Sequence, residues 1–186
     1  LKPDVVSVHQ VMNVGIDLIL KLRSWIPNVR IVYTLHEFLL QCPLHGQLKT
    51  RAGTYCSGPS SVGCLQCLPD LLPDGHLMRS ARICTLLEVI DHFISPSAVV
   101  RNYFVDWGVS ADRITVVPNL LPEFLRSLPS ESKLDHSRSS CFGFFGNCTE
   151  AKGLDLILEA LLDLVRSYPS ARLIVHGPVH RVLQQG

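Results

Sequence analysis

The hydrophobic positions of the chain follow a repeated order of strand, helix and strand. Residues 4–9 and 29–35 are rich in β-branched residues, which is typical of strands. Between them, apolar residues recur at the spacing of one helical face: Val11, Val14, Leu18, Leu22 and Trp25. Two strands joined by a helix through short connections form a βαβ unit, so this pattern predicts a parallel sheet.

The same order continues along the rest of the chain. Further strands are predicted at 92–95, 114–117, 141–146 and 172–176. Apolar residues at helical spacing predict three more helices. The face of the first is formed by Leu77, Ala81, Cys84, Leu87 and Ile90, and that of the last by Leu154, Ile157, Leu161 and Val165. The helix between them has Val100, Phe104 and Trp107 on one face, is capped by Ser97 and ends at Gly108. The pattern predicts an α/β fold with two Rossmann-like parallel-sheet domains.

Two segments interrupt this order and divide the chain. Residues 37–75 are rich in Gly, Pro, Ser and Cys and are too long for an ordinary connection, so we interpret them as a Cys-rich loop insert. Residues 122–140 are polar and we interpret them as an interdomain linker. They separate a first domain at 1–121 from the start of a second at 141–186. We expect both domains to be incomplete, because the chain begins inside one strand pattern and stops soon after another.

Composition and charge exclude several classes of protein. Hydrophobic residues make up 47% of the chain, which is enough for a buried core and argues against global disorder. Seventeen Lys and Arg against sixteen Asp and Glu give a net charge of +1, without the basic stripe that nucleic-acid binding needs. No apolar run is long enough to span a membrane.

Residues 143–153 join a strand to a helix and are the clearest candidate for an anion site. Glycines let the backbone approach a bound group, and the N-terminus of the following helix offers free N–H donors. Lys152 adds a mobile positive charge suited to a diphosphate. The segment is neither G-x-G-x-x-G nor a P-loop, and the alternative is a plain turn with a solvated lysine.

Four of the seven cysteines lie within the insert: Cys42, Cys56, Cys64 and Cys67. The C-x-x-C spacing of the last two is a chelating one, and four thiolates satisfy a structural zinc ion or an iron–sulfur cluster. Disulfides and reduced buried thiols are the alternatives. We interpret the other three, Cys84, Cys141 and Cys148, as buried small hydrophobic residues.

Several short motifs occur in an order that resembles glycosyltransferase family 4, whose members are retaining enzymes of the GT-B fold. Residues 2–9 (KPDVVSVH) are similar to the strand that the family writes PDVVHVH. Thr34-Leu35-His36-Glu37 is similar to its strand-end T-x-H-D/E. Residues 93–97 and 114–119 (ITVVPN) are similar to its next two strand ends, and residues 144–155 to its donor-phosphate loop.

The resemblance implies a role for each of these strand-end residues. It places His36 near the transferred sugar as the catalytic candidate, with His9 and Glu37 on the acceptor side. The donor-binding candidates are Gly146, Asn147, Lys152 and Gly153, of which Lys152 would contact the donor diphosphate and stabilise the leaving group. Asn147 stands where family members usually carry Arg. For His36, the alternative is a strand-end histidine hydrogen-bonded to the backbone.

The resemblance also implies substrates and partners. The first domain would hold a glycan, lipid or small-molecule acceptor, and the second a nucleotide-sugar donor, with no catalytic metal and no nucleic acid. We expect a cytoplasmic protein, with peripheral membrane contact through a missing N-terminal part, and we expect this piece itself to be inactive. The family's Glu-x7-Glu signature lies after the phosphate loop, so we treat the same spacing at Glu123 and Glu131 as coincidence. A non-catalytic sugar- or nucleotide-binding remnant and a metal-ordered interaction module on 37–75 are the alternatives.

Overall fold

The structure is a computed structural model that describes residues 2–12, 14–44, 46–120, 140–149 and 152–178. The chain divides into two compact units, Leu1–Leu121 and Pro122–Gly186. Of the predicted linker at 122–140, all but Ser140 lies outside the described residues. The two units are described separately below.

The first unit is a parallel sheet with its strands in sequential order. The strands are β1 (Val5–Val8), β2 (Arg30–Thr34), β3 (His92–Ser95) and β4 (Ile114–Val116), ordered β1-β2-β3-β4. The helices are α1 (Ile16–Trp25), α2 (Ser61–Cys67), α3 (Pro73–Val89) and α4 (Ala98–Asp106), and a 3₁₀ turn (Ala111–Arg113) precedes β4. The predicted α/β fold with a Rossmann-like parallel sheet is confirmed.

The core of this unit lies between one face of the sheet and its helices. Val8, Tyr33, Phe93 and Ile114 are paired in register across the four strands and therefore share a face. Tyr33, Phe93 and Ile114 are buried in the core cluster, and Val8 packs against it. Helices α1, α3 and α4 add further buried side chains: Ile19, Ile83, Leu86 and Phe104. As predicted, Ser97 caps α4, because its hydroxyl accepts a hydrogen bond from the amide of Val100 at 3.2 Å.

The predicted face of α1 is wrong. The helix begins only at Ile16, because Gly15 before it has a φ of +81°, and a residue in that conformation cannot continue a helix. Val11 and Val14 therefore precede the helix, and Val14 is 54% exposed. Trp25 is 62% exposed, and the helix instead buries Ile19 in the core.

The predicted face of α3 is wrong over its first three positions. The helix begins at Pro73 and buries His76, Ile83 and Leu86, whereas Leu77 is 68% exposed. The last two predicted positions are correct, because Ile90 is buried in the core and Leu87 packs against it. Cys84, at the third predicted position, is exposed rather than buried. Cys141 is exposed as well, so only Cys148 of the three isolated cysteines is buried as predicted.

One ion pair links the ends of several elements in the first unit. Asp91, between α3 and β3, lies 2.6 Å from Arg23 of α1 and accepts a hydrogen bond from the amide of Ile31 in β2. Partial burial alone would raise the pKa of Asp91. The hydrogen bonds from Ile31 and Arg23, with the positive charges of Arg23 and Arg30, outweigh that effect and lower the pKa below its ordinary value.

The insert has local structure that the pattern does not predict. Lys49 and Tyr55 form an isolated antiparallel bridge, and α2 begins after Ser60, whose hydroxyl accepts from the amide of Gly63 at 3.0 Å. With only seven residues, α2 is too short to show a helical periodicity. Among the helices of the described residues, none is long and apolar enough to cross a membrane.

The second unit contains two parallel strands and a helix. β5 (Cys141–Phe145) pairs in parallel with β6 (Arg172–His176), and α5 (Leu154–Ser167) connects them. After the strands, the backbones of Gly146 and Gly177 run in close contact, and the amide of Gly146 donates to the carbonyl of His176 at 3.0 Å. A side chain at Gly177 would meet the carbonyl oxygen of Gly146. The phosphate-loop candidate is therefore anchored to the end of β6.

Candidate functional site

His9 and His36 meet at one edge of the first sheet. Each follows the carboxyl end of its strand, β1 or β2, and parallel neighbouring strands end at the same edge. The Nδ1 atom of His9 lies 2.9 Å from the Nε2 atom of His36, and the two rings stack with centroids 5.2 Å apart. His36 is thus hydrogen-bonded through its ring to another side chain, rather than to the backbone as the alternative interpretation had it.

Ser7 extends the histidine pair into a chain of three side chains. Its hydroxyl oxygen lies 3.2 Å from Nε2 of His9. With both rings neutral, protons can be ordered in two ways. If Ser7 donates to His9 and His9 to His36, then His36 carries its proton on Nδ1. If His36 donates to His9 and His9 to Ser7, the Nδ1 of His36 is a bare acceptor. Both histidine side chains are exposed, so substrate can reach them.

Glu37 follows the pair and is only partly accessible. Its Oε1 atom is buried, with no hydrogen-bond partner among the described residues. The carboxylate also acts on Tyr33 in β2: burial, and then the negative charge of Glu37, raise the pKa of Tyr33 to about 12. Tyr33 therefore stays protonated at every physiological pH. Glu37 is the one acidic group that the sequence placed on the acceptor side, and it retains an unused acceptor oxygen there.

The segment after Glu37 is held in place by two polar side chains. Arg79 of α3 donates to the carbonyls of Leu39 and Leu40, and Gln41 donates from its amide to the carbonyl of Tyr103 at 2.9 Å. Neither Arg79 nor Gln41 was singled out from the sequence, because their partners are backbone atoms that no pattern reveals. These contacts fix the chain that leads away from His36.

A cavity of about 360 Å³ lies beside this segment. It is open to solvent. Its walls come from the segment before α1, from the chain after Glu37 and from α3: Val11, Met12, Gly15, Ile16, Leu39, Leu40, Arg79, Arg82 and Ile83. Arg82 is also paired with Asp17 of α1. The walls therefore combine apolar side chains with two guanidinium groups, close in sequence to His9 and Glu37.

The phosphate-loop candidates lie in the second unit. Gly146 and Gly153 have φ values of +152° and +69°, which favour glycine. The side chains of Asn147 and Lys152 are exposed, and the amide of Lys152 donates to the carbonyl of Thr149. Gly153 directly precedes α5 and offers no side-chain cap, so the first amides of the helix are available to an anion. Asp155 lies in the first turn and opposes such an anion.

All four cysteines of the insert line one small cavity of about 90 Å³. Cys64 is buried, the other three are partly buried, and all four are free thiols. In their present orientation, no three His, Cys, Asp or Glu side chains of the described residues form a group that could hold a metal ion. The four predicted cysteines therefore line the same cavity, but their sulfur atoms are not arranged as metal ligands.

Comparison with known proteins supports one family. The chain is similar to the solved UDP-GlcNAc 2-epimerase from Neisseria meningitidis bound to UDP-GlcNAc, at 13% identity and a TM-score of 0.45. That match covers 96% of this chain but only 43% of the epimerase, so the chain spans less than half of that protein's length, and a likeness this distant says nothing of activity. No curated protein matches the sequence. The sequence profile of Glycosyltransferase Family 4 matches residues 1–122, which is most of the chain and includes His9, His36 and Glu37. The chain therefore belongs to glycosyltransferase family 4.

Proposed function

We propose that the chain is part of a glycosyltransferase that moves a sugar, with retention, from a nucleotide-diphosphate-sugar donor to a glycan, lipid or small-molecule acceptor. The observation that carries the proposal is the exposed histidine pair at the carboxyl edge of the first sheet, within the residues that match the family. In open α/β sheets, ligands bind beyond the carboxyl ends of the strands, so His36 stands where a substrate is expected.

The proposed donor site is the loop that precedes α5. Lys152 is exposed, and would bind the diphosphate together with the amides at the start of the helix. As the bond to the sugar breaks, negative charge grows on the leaving diphosphate, and a fixed positive group stabilises that charge. Lys152 would supply this stabilisation, so the proposed reaction needs no catalytic metal.

The proposed acceptor site is the cavity beside residues 39–40. It adjoins the segments that follow His9 and Glu37, and its apolar and guanidinium walls suit a sugar or lipid-linked acceptor. Glu37 keeps an unpartnered carboxylate oxygen that would accept a hydrogen bond from an acceptor hydroxyl after a small side-chain movement. His36, at the carboxyl edge of the same sheet, would then be the candidate catalytic side chain.

Nucleotide binding and nucleotide release test the proposal separately. Titration of the isotope-labelled chain with UDP and GDP sugars should shift the backbone amides of residues 146–154, and Lys152→Met should weaken binding about tenfold, as loss of one charge-assisted contact to phosphate predicts. Lys21→Met, which removes an exposed lysine of the first unit, is the matched control. Unshifted amides at millimolar nucleotide sugar would refute the donor site.

Release of free nucleoside diphosphate tests the transfer itself. It is measured on the longest natural form of the protein with a panel of donors, and His36→Ala should abolish it. One observation favours a second candidate, a non-catalytic nucleotide-binding protein: Asn147 is neutral where family members usually carry Arg, and a neutral amide cannot form a charged fork on phosphate. Binding that depends on Lys152 without any release of diphosphate would support that second candidate and refute the first.

A further inference from the structure

The four cysteines of the insert reach their shared cavity from three separate parts of the chain. Cys42 follows the segment held by Arg79, Cys56 follows the bridge between Lys49 and Tyr55, and Cys64 and Cys67 lie on α2. Residues three apart on a helix occupy the same face. The last two thiols are thus neighbours on the side of α2 that lines the cavity.

Two of the thiols make only weak contacts that metal binding could replace. The Sγ atom of Cys42 donates to the carbonyl of Leu44 at 3.5 Å, and that of Cys56 to the carbonyl of Gly58 at 3.1 Å. Thiols are weak hydrogen-bond donors, so little is lost when these sulfurs turn away from the carbonyls. The cavity that they line is mostly apolar, which leaves the sulfurs no strong alternative partner there.

Positive charge stands close to the cysteines. The guanidinium of Arg79 donates to the carbonyls of Leu39 and Leu40, which closely precede Cys42 in the chain. Lys49 lines the same cavity. A zinc ion held by four thiolates carries a net charge of −2, and a guanidinium and an ammonium group beside it would offset that charge.

We propose that Cys42, Cys56, Cys64 and Cys67 bind one structural zinc ion as four thiolates. On binding, each thiol loses its proton to solvent, four Zn–S bonds form, and the contacts to the carbonyls of Leu44 and Gly58 break. No electron is transferred, because Zn²⁺ has no redox chemistry in proteins. The donor set fits this ion, and turning of the sulfurs into the cavity is the rearrangement that binding requires.

The zinc ion orders an insert that has little core of its own. Leu40, Leu48 and Cys64 are among the few buried apolar side chains between residues 38 and 72. Binding free energy at such a site becomes folding free energy for the surrounding chain. Because Cys42 closely follows Leu39 and Leu40, whose carbonyls Arg79 contacts, the metal also steadies the segment that follows His36.

Metal content and a cobalt spectrum test the proposal on the whole chain. Protein purified under reducing conditions should contain about one zinc ion per chain by elemental analysis, and added Co²⁺ should give the bands of a tetrahedral thiolate complex. The variant Cys64→Ser/Cys67→Ser should lose both signals. The matched control Cys84→Ser/Cys141→Ser, which changes two exposed cysteines outside the cavity, should keep both.

A thiol count distinguishes loss of metal from loss of fold. Zinc should protect four of the seven thiols from a thiol reagent, and removal of zinc by a chelator should expose them. Less than about 0.1 metal per chain after incubation with zinc, or cobalt bands that survive in Cys64→Ser/Cys67→Ser, would overturn the proposal. Iron and acid-labile sulfide in place of zinc would also overturn it. None of these results depends on glycosyl transfer.

Discussion

The hydrogen bond between His9 and His36 should change the nitrogen signals of the candidate catalytic ring. His9→Phe keeps a flat ring to stack on His36 but removes the nitrogen that lies 2.9 Å from Nε2. A net hydrogen bond between neutral groups contributes about 0.5–1.5 kcal/mol, and the exposure of both rings places this one at the lower end. Both proton orders contain this bond, so its removal changes the ratio of the two ring forms of His36 only by the difference between its strengths in the two orders. For a difference of about 1 kcal/mol, the ratio changes about fivefold, which is the largest change we expect.

Nitrogen NMR of the histidine rings measures this ratio directly. Long-range ¹H–¹⁵N spectra at a pH of about 8.5, two units above the ordinary histidine pKa, report which nitrogen of each neutral ring carries the proton. In the unchanged chain, the ring nitrogens of His36 should differ from those of a free imidazole. In His9→Phe they should move towards the free values, and in the control Ser7→Ala, which keeps the histidine pair, they should move less. His36 nitrogen signals that are identical in the unchanged chain and in His9→Phe, with unchanged backbone spectra, would refute the reasoning.

Three further substitutions test the packing described above. Phe104→Ala, which empties a fully buried core position, should cost about 3–5 kcal/mol of unfolding free energy in a urea titration. Asp91→Asn should cost about 0.5–1 kcal/mol at pH 7, whereas the exposed control Asp106→Asn should cost nothing measurable. Because folding lowers the pKa of Asp91, its contribution should be constant above about pH 5 and be lost progressively as the pH falls below the ordinary value of 3.8, so the variant and the unchanged chain should converge in acid. Gly177→Ala should shift the amide signals around Gly146 more than Gly146→Ala shifts those around Gly177, since only the first change brings a methyl group onto backbone atoms.

The strands could be predicted from the sequence because their signal is local. Residues 92–95 and 172–176 form β3 and β6 over the predicted ranges, since β-branched runs bounded by turn residues specify strands without tertiary information. Helical faces were predicted less well. The face of α1 depends on where the helix begins, and the positive φ of Gly15 delays it to Ile16. Because Val11 and Val14 continue the helical spacing of apolar residues before Ile16, the pattern does not show where the helix begins.

The sequence locates the residues of the candidate site at the ends of separate strands but does not show the contacts between them. Parallel pairing places the carboxyl ends of β1 and β2 together, so proximity of His9 and His36 follows from the predicted sheet. The hydrogen bond between the two rings and the contact of Ser7 with His9 cannot be predicted in this way, because both depend on side-chain torsion angles. The cysteines show the same limit: their spacing predicts a cluster, and the structure places them around one cavity, but the direction of each sulfur depends on backbone that the pattern does not specify.

The chain formed by Ser7, His9 and His36 has a consequence for how a substrate would meet this sheet edge. The two proton orders use the same heavy-atom positions, so the outward nitrogen of His36 can change from donor to acceptor without any movement of the backbone. A ligand that binds one proton order more tightly than the other stabilises that order. The size of the shift is set by the difference between its affinities for the two orders. The polarity of the site is therefore selected by the group that binds, and one rigid scaffold can present either a hydrogen-bond donor or an acceptor to it.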